Sequence, residues 1–151
     1  MNLAPFFTAI KTRLEADTGT GGLFKSGAAL VSGCYSVLAP PLADDYPYLL
    51  IDHEGDDVLD GFGLNFIQRA FRVHVFAEVA NGLAPVDAIL NRIYGDGDRS
   101  PTYGLHRHSL TLASGGWTGS VVEYRDTIWN SDVDIYHVIQ RYVTRFSKAA
   151  S

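Results

Sequence analysis

The chain has 151 residues, 46% hydrophobic and 19% charged, enough to bury roughly 70% of the unfolded surface in one domain and too apolar for a disordered chain. With 12 Lys+Arg against 17 Asp+Glu the formal net charge is −5. That balance argues against a free-standing nucleic-acid binder, which neutralises several phosphates with a basic face. One cysteine, Cys34, excludes an internal disulfide framework and fits a reducing compartment.

From the N-terminus, Leu3, Phe6, Phe7, Ile10 and Leu14 recur at helical spacing, with Asn2 as a cap, Pro5 in the first turn and Asp17-Thr18-Gly19 as the stop. No basic region precedes an apolar run there, and Lys11, Arg13 and Glu15 interrupt one, so no signal peptide is expected. No stretch approaches the ~18–20 apolar residues of a membrane span. The expectation is a protein made in a cytoplasm and not held by a membrane. Residues 18–32, with Gly19, Gly21, Gly22 and Gly27, read as a loop with weak structure. Cys34 to Leu38 predicts a short strand stopped by Pro40-Pro41. Tyr46 to His53 predicts a strand buried on both faces. Glu54 to Gly63, with Glu54, Asp56, Asp57, Asp60 and three glycines, reads as an acidic, flexible loop or hairpin tip.

Asn65 to Glu78 alternates, with Ile67, Phe71, Val73 and Val75 on one face and Gln68, Arg72 and His74 on the other, as in a long strand wet on one side. Asn81-Gly82 marks a turn. Pro85, Val86, Ile89, Leu90, Ile93 and Tyr94 make a second helix stopped by Gly95, with Asp87 and Arg92 suiting its dipole. Strands follow at about 105–113, 117–129 and 133–146. The last also fits a helix, but its β-branched and aromatic content and the preceding Asn130-Ser131-Asp132 turn favour a strand. The order predicts a single α+β domain over 1–151, two helices packed on one largely antiparallel (mixed) sheet, with no repeat and no linker.

The residues that carry chemistry elsewhere do not assemble into a motif. His106 and His108, two apart on a predicted strand, point the same way but have no Cys or Asp partner at ligand spacing. Asp96-Gly97-Asp98 opens like a calcium loop, yet the twelfth position is Arg107 rather than Glu. Gly19-Thr20-Gly21-Gly22 follows a helix and lacks the Gly-Lys-Ser/Thr ending of a phosphate cradle. Cys34 has no evident base and reads as a small buried hydrophobe. No nucleophile, base and orienter come together, so no catalytic residue, metal or cofactor is expected. The aromatic load of Trp117, Tyr124, Trp129, Tyr136 and Tyr142 divides between core and a subunit or partner interface. Arg125, Arg141 and Arg145 are either its polar rim or a solvent-facing strand pattern.

The order of segments resembles the tail-terminator (tail-completion) proteins of long-tailed bacteriophages and related prophage or gene-transfer particles, the lambda tail-terminator type among them. The likeness runs from the N-terminal helix with Phe6, Phe7, Ile10 and Leu14, through Tyr46-Pro47-Tyr48-Leu49-Leu50-Ile51, the acidic loop and Phe71-Arg72-Val73-His74-Val75-Phe76. It continues through the helix Pro85 to Tyr94 and the long strand ending Tyr136-His137-Val138-Ile139-Gln140-Arg141-Tyr142. The glycine-rich stretch 18–32 is bulkier than the family pattern.

The resemblance implies a structural protein of the virion tail. Such proteins form a ring, typically of six subunits, that caps the tail tube, stops its polymerisation and presents a surface to the head–tail connector or neck protein. DNA is only in transit through the hole. A ring of this kind needs a heterologous interface whose rotation closes. Trp117, Tyr124, Trp129, Tyr136, Arg141 and Arg145 are the candidate oligomer or partner interface. Glu54, Asp56, Asp57 and Asp60 are either a lumen or end-face element or an ordinary exposed turn; an acidic lining does not retain DNA. The alternatives are a head–tail adaptor or neck protein, a small metal- or cysteine-dependent enzyme using His106, His108 or Cys34, and a domain that accepts an extended peptide at a sheet edge. The isolated chain is expected to be monomeric in dilute solution.

Overall fold

The apolar stripe of the first segment forms helix α1 (Leu3–Glu15), which buries Phe6, Phe7, Ile10 and Leu14 in a computed structural model of the chain. The structure describes residues 2–41, 45–61, 64–112, 116–119 and 121–149, and of 59–61, 64 and 149 the backbone alone. Asn2 stands at the N-cap in extended conformation without a side-chain cap hydrogen bond. The strands are β1 (Gly33–Ser36), β2 (Tyr48–Gly61), β3 (Leu64–Glu78), β4 (Thr118–Gly119), β5 (Glu123–Ser131) and β6 (Ile135–Ala149), with α2 (Ala84–Tyr94) between β3 and β4.

The fold is α+β, as expected: two helices on one mixed sheet. The sheet runs β1-β2-β3-β6-β4, with β5 also on β6; β1 joins β2 in parallel and the other pairs are antiparallel. Long pairings dominate. β3 lies between β2 and β6, matched to β6 from Leu64↔Ala149 to Glu78↔Ile135.

Both helices cover the same face. Val86, Ile89, Leu90 and Ile93 of α2 join the α1 stripe over Leu49, Ile51, Phe71, Val73, Val75, Val138, Tyr142 and Phe146. Each such large side chain contributes roughly 1.5–3 kcal/mol by leaving water. Phe6 sits at the centre, edge-on to Phe71 and Phe146 at 5.2 and 5.9 Å between ring centroids. The opposite face of the sheet carries no helix among the described residues.

Three expectations are corrected. Residues 54–61 are not a loop: they continue β2, pairing with β3 as far as Gly61↔Leu64. Glycine and acid content suggested a turn, but Arg69 and Arg141 satisfy acids within the strand. The register jumps between His53↔Phe71 and Gly55↔Ala70, so Glu54 is the extra residue of a β-bulge. Leu49 and Ile51 face the helices before the bulge; Asp56 and Val58 take that side after it, opposite Arg69 and Ile67.

Of the expected strand 105–113, the described residues 105–112 form none, and 113 lies outside the described residues. Arg107 has φ 67°, and the backbone N–H groups of Leu105 and His106 donate to the carbonyls of Ile93 and Tyr94 rather than to a strand. A single bridge, Ser109↔Val121, remains. The expected strand 117–129 is divided into β4 and β5.

The glycine-rich stretch 18–32 has no regular structure but is anchored. Asp17, 6% exposed, accepts the Leu23 N–H at 3.0 Å, and Leu23 and Val31 are buried. A Cβ on Gly22 would stand 2.5 Å from the Asp17 carbonyl oxygen, so the close approach requires glycine there.

Candidate functional site

On the helix-free face, strand register lines up side chains in rows across β2, β3, β6 and β5. One row is Asp52, Arg72, Arg141 and Asp126. Two arginines stand directly opposite each other, an arrangement that repels unless compensated. Here each has its own acid. Arg72 is ion-paired with Asp52, and Arg141 Nε and Nη2 both donate to Asp126 at 2.6 Å. Glu54, projected by the bulge, accepts from Arg141 Nη1 at 3.0 Å. These contacts raise the Arg141 pKa above its ordinary value, the Asp126 hydrogen bond contributing most, and lower that of Asp126. Three carboxylates against two guanidiniums leave no positive surplus to hold a phosphate backbone. Beyond this row, Arg145 Nε donates to Gln68 Oε1 at 3.0 Å.

Toward the other end of the face, Tyr48, Phe76 and His137 are cross-strand neighbours. They stack with centroid separations of 4.9 and 4.3 Å. His74 Nδ1 and His137 Nε2 share a hydrogen bond of 2.7 Å, and His74 Nε2 is 3.5 Å from Asp52 Oδ2. The expected wet face is thus partly closed, for His74 is only 9% exposed. Burial first, then His137, lowers the His74 pKa, against the pull of Asp52; burial also lowers that of His137.

The candidate interface residues divide between the two faces. Tyr124 packs on the helix side against Tyr94 and Tyr142, its hydroxyl 2.6 Å from Thr127 Oγ1. Tyr136 is partly buried against the same core. Trp117 precedes β4, partly buried, with the Lys148 ammonium 5.8 Å from its ring centroid. Trp129 is 48% exposed and walls a groove of about 480 Å³ between α2 and β5. Arg141 and Arg145 belong to the open face. One continuous patch is therefore not what these six residues make.

The acidic residues divide as well. Glu54 serves the open face, and Asp57 stands there opposite Gln68. Asp56 lies under the helices' side, with its carboxyl lowered to about 2 by the Arg69 hydrogen bond and, less, by His53. Asp60 pairs with Asn65 through the backbone, and its side chain lies outside the described residues.

His106 and His108 do not converge. His106 Nδ1 accepts the Tyr124 N–H at 3.0 Å and its ring stacks on Tyr94. His108 lines a separate groove of about 600 Å³ beside α1, where burial and nearby Arg13 push its pKa down to about 4. Cys34 is buried, its thiol pushed up to about 12 chiefly by burial, so it carries no thiolate at neutral pH. Among the described residues, no group of three or more His, Cys, Asp and Glu side chains is placed to hold a metal ion. No described helix is long and apolar enough to cross a membrane.

The histidines set an expected acid response. An unfolded histidine takes up its proton near pH 6.5, whereas His74, His106, His108 and His137 resist protonation in the folded chain. Their contribution is complete above pH 6.5 and is lost as pH falls toward the folded values, about 4 for His108. The urea midpoint should therefore drop between pH 6.5 and 4, and His108→Asn should flatten part of that slope. A midpoint that holds constant across the range would refute the assignment.

Sequence signals for two important features were present but weak. Arg69 occupies an inward position in the Ile67, Phe71, Val73 alternation, and Arg92 sits one helical turn from Ile89 on a face that meets Asp17.

No protein-family model and no curated protein sequence matches this chain. Among solved structures, a chain from the virion of a native gene transfer agent (GTA) particle is similar in fold, with TM-score 0.56 and 17% identity, over 92% of this chain and 98% of that one.

Proposed function

We propose that this chain is a structural component of a phage-like particle, and specifically a tail terminator. In this reading it forms a ring, of six copies, on the end of a finished tail tube. The ring stops tube growth and offers its other end to the neck of the head, and DNA passes through without being held. The observation that carries the reading is the end-to-end likeness in fold to a chain of a gene transfer agent virion, 98% of which is spanned. The paired charges of the open face support it. Arg72 and Arg141 are engaged by Asp52, Asp126 and Glu54, which suits a wall passed by a polyanion and not a site that grips it.

The test is electron microscopy of particles made without this chain. Overlong, headless tails are expected. Filled heads lacking tails would instead assign the chain to the neck, and particles of normal form would remove the assembly role altogether.

A further inference from the structure

Four of the eight large apolar side chains exposed among the described residues stand at two opposite edges of the sheet. At one edge, the turn closing β1 (the Ala39 N–H donates to the Ser36 carbonyl) presents Val37 and Leu38, the latter 57% exposed. At the other, β5 presents Ile128 and Trp129. The Asp132 N–H donates to the Ile135 carbonyl. Antiparallel alternation therefore turns the backbone groups of Thr127, Trp129 and Ser131 away from β6. Beside them lies the groove of about 480 Å³ walled by Leu90, Asn91, Tyr94 and Trp129.

We propose that the Val37–Leu38 knob of one copy seats in the groove beside Trp129 of a second copy, head to tail. This names the contact within the ring proposed above and rests on that reading for the number of copies. Charge selects this partner over a symmetric one. Two β5 strands paired antiparallel about Trp129 would set Asp132 of one against Asp126 of the other twice, two carboxylates to the one guanidinium of Arg141 that Asp126 already holds, and like charges directly opposite are destabilising. The segment Ser36-Val37-Leu38-Ala39-Pro40-Pro41 carries no charge and meets the acidic flank of β5 without that penalty. Because knob and groove lie at opposite edges, each added copy leaves one of each unfilled until the chain of copies closes on itself. A stable pair hides ~800 Å² per partner, about a tenth of the 8101 Å² surface of this chain. Two aliphatic side chains in one groove supply much less, so the contact is weak in dilute solution and forms where a tube end holds copies side by side.

Cysteine cross-linking of the full chain at high concentration tests the contact. Leu38→Cys/Asn91→Cys should give, on mild oxidation, a ladder of covalent species beyond dimer. Mixing the single variants Leu38→Cys and Asn91→Cys should stop at dimer. The equally surface-placed pair Ser26→Cys/Asn91→Cys measures random collision. Trp129→Ala should weaken association by about tenfold or more in sedimentation, as loss of a central aromatic anchor does. Dimerisation of Asn91→Cys alone, or a ladder no stronger than the collision control, overturns the proposal. A ladder together with normal tails in particles lacking the chain keeps this contact and removes the terminator reading. Overlong tails without a ladder do the reverse.

Discussion

Asp56→Ala should cost the folded chain about 3 kcal/mol, seen as a lower urea midpoint at unchanged slope. Arg69 explains why. Its side chain is 2% exposed, and its Nε and Nη2 donate to the two Asp56 oxygens, both at 2.8 Å. Its guanidinium also lies 4.9 Å from the centroid of the Phe6 ring at the core. Removing the carboxylate takes from a buried guanidinium the acid to which two of its nitrogens donate, and breaking one side of a buried pair costs about 3–5 kcal/mol. The lower end applies because Asp56 itself keeps 28% side-chain exposure. The pair also fixes a pH response: the Asp56 pKa is depressed to about 2, so its contribution is whole above 3.8 and fades as pH falls toward 2. Asp56→Leu/Arg69→Met should recover most of the loss, since an apolar pair of similar volume often replaces a buried ion pair at little cost. A loss under about 1 kcal/mol in the single variant would mean that Arg69 finds comparable support elsewhere.

Asp17→Ala is expected to be as damaging and to show where the damage lies. Asp17 receives Arg92 Nε at 3.0 Å, Arg92 Nη2, and the Leu23 N–H. Arg92 in turn lies 3.4 Å from the centroid of the Tyr103 ring, and its pKa is raised, chiefly by the Asp17 hydrogen bond. One carboxylate thus ties the end of α1, the glycine-rich stretch and α2 together. Its loss should lower stability by about 3 kcal/mol and speed tryptic cleavage after Lys25. Equal cleavage rates in parent and variant would show that the stretch is held by Leu23 and Val31 alone.

The parts of the fold legible in the sequence are those written in long periodic stretches. The Phe6–Leu14 stripe, the alternation around Phe71–Val75 and the β-branched run after Ile135 each specify one element, and together they specify the α+β arrangement. What stayed hidden depends on partners distant in sequence. The acids at 54–57 look like a turn until Arg69 and Arg141, 13 and 87 residues from their acids, are seen beside them. His106 and His108 look like a strand pair until Arg107 turns the backbone into the left-handed region. The aromatic residues of the C-terminal half could be listed but not sorted, because β5 has its own register shift between Tyr124 and Asp126, which changes which side each ring takes.

The bulge at Glu54 makes the length of β2 a matter of parity. Losing one residue between His53 and Asp56 would remove the bulge and leave Asp56 opposite Arg69, with every later side chain of the strand on its present side, although Glu54 would no longer be projected toward Arg141. Losing two would send Asp56 to the helix-free side and bring Asp57 round to Arg69, and every later side chain of the strand would change sides with them. Shortening among descendants of this sequence should therefore come here as the loss of a single residue, and the loss of two should coincide with a change at Arg69.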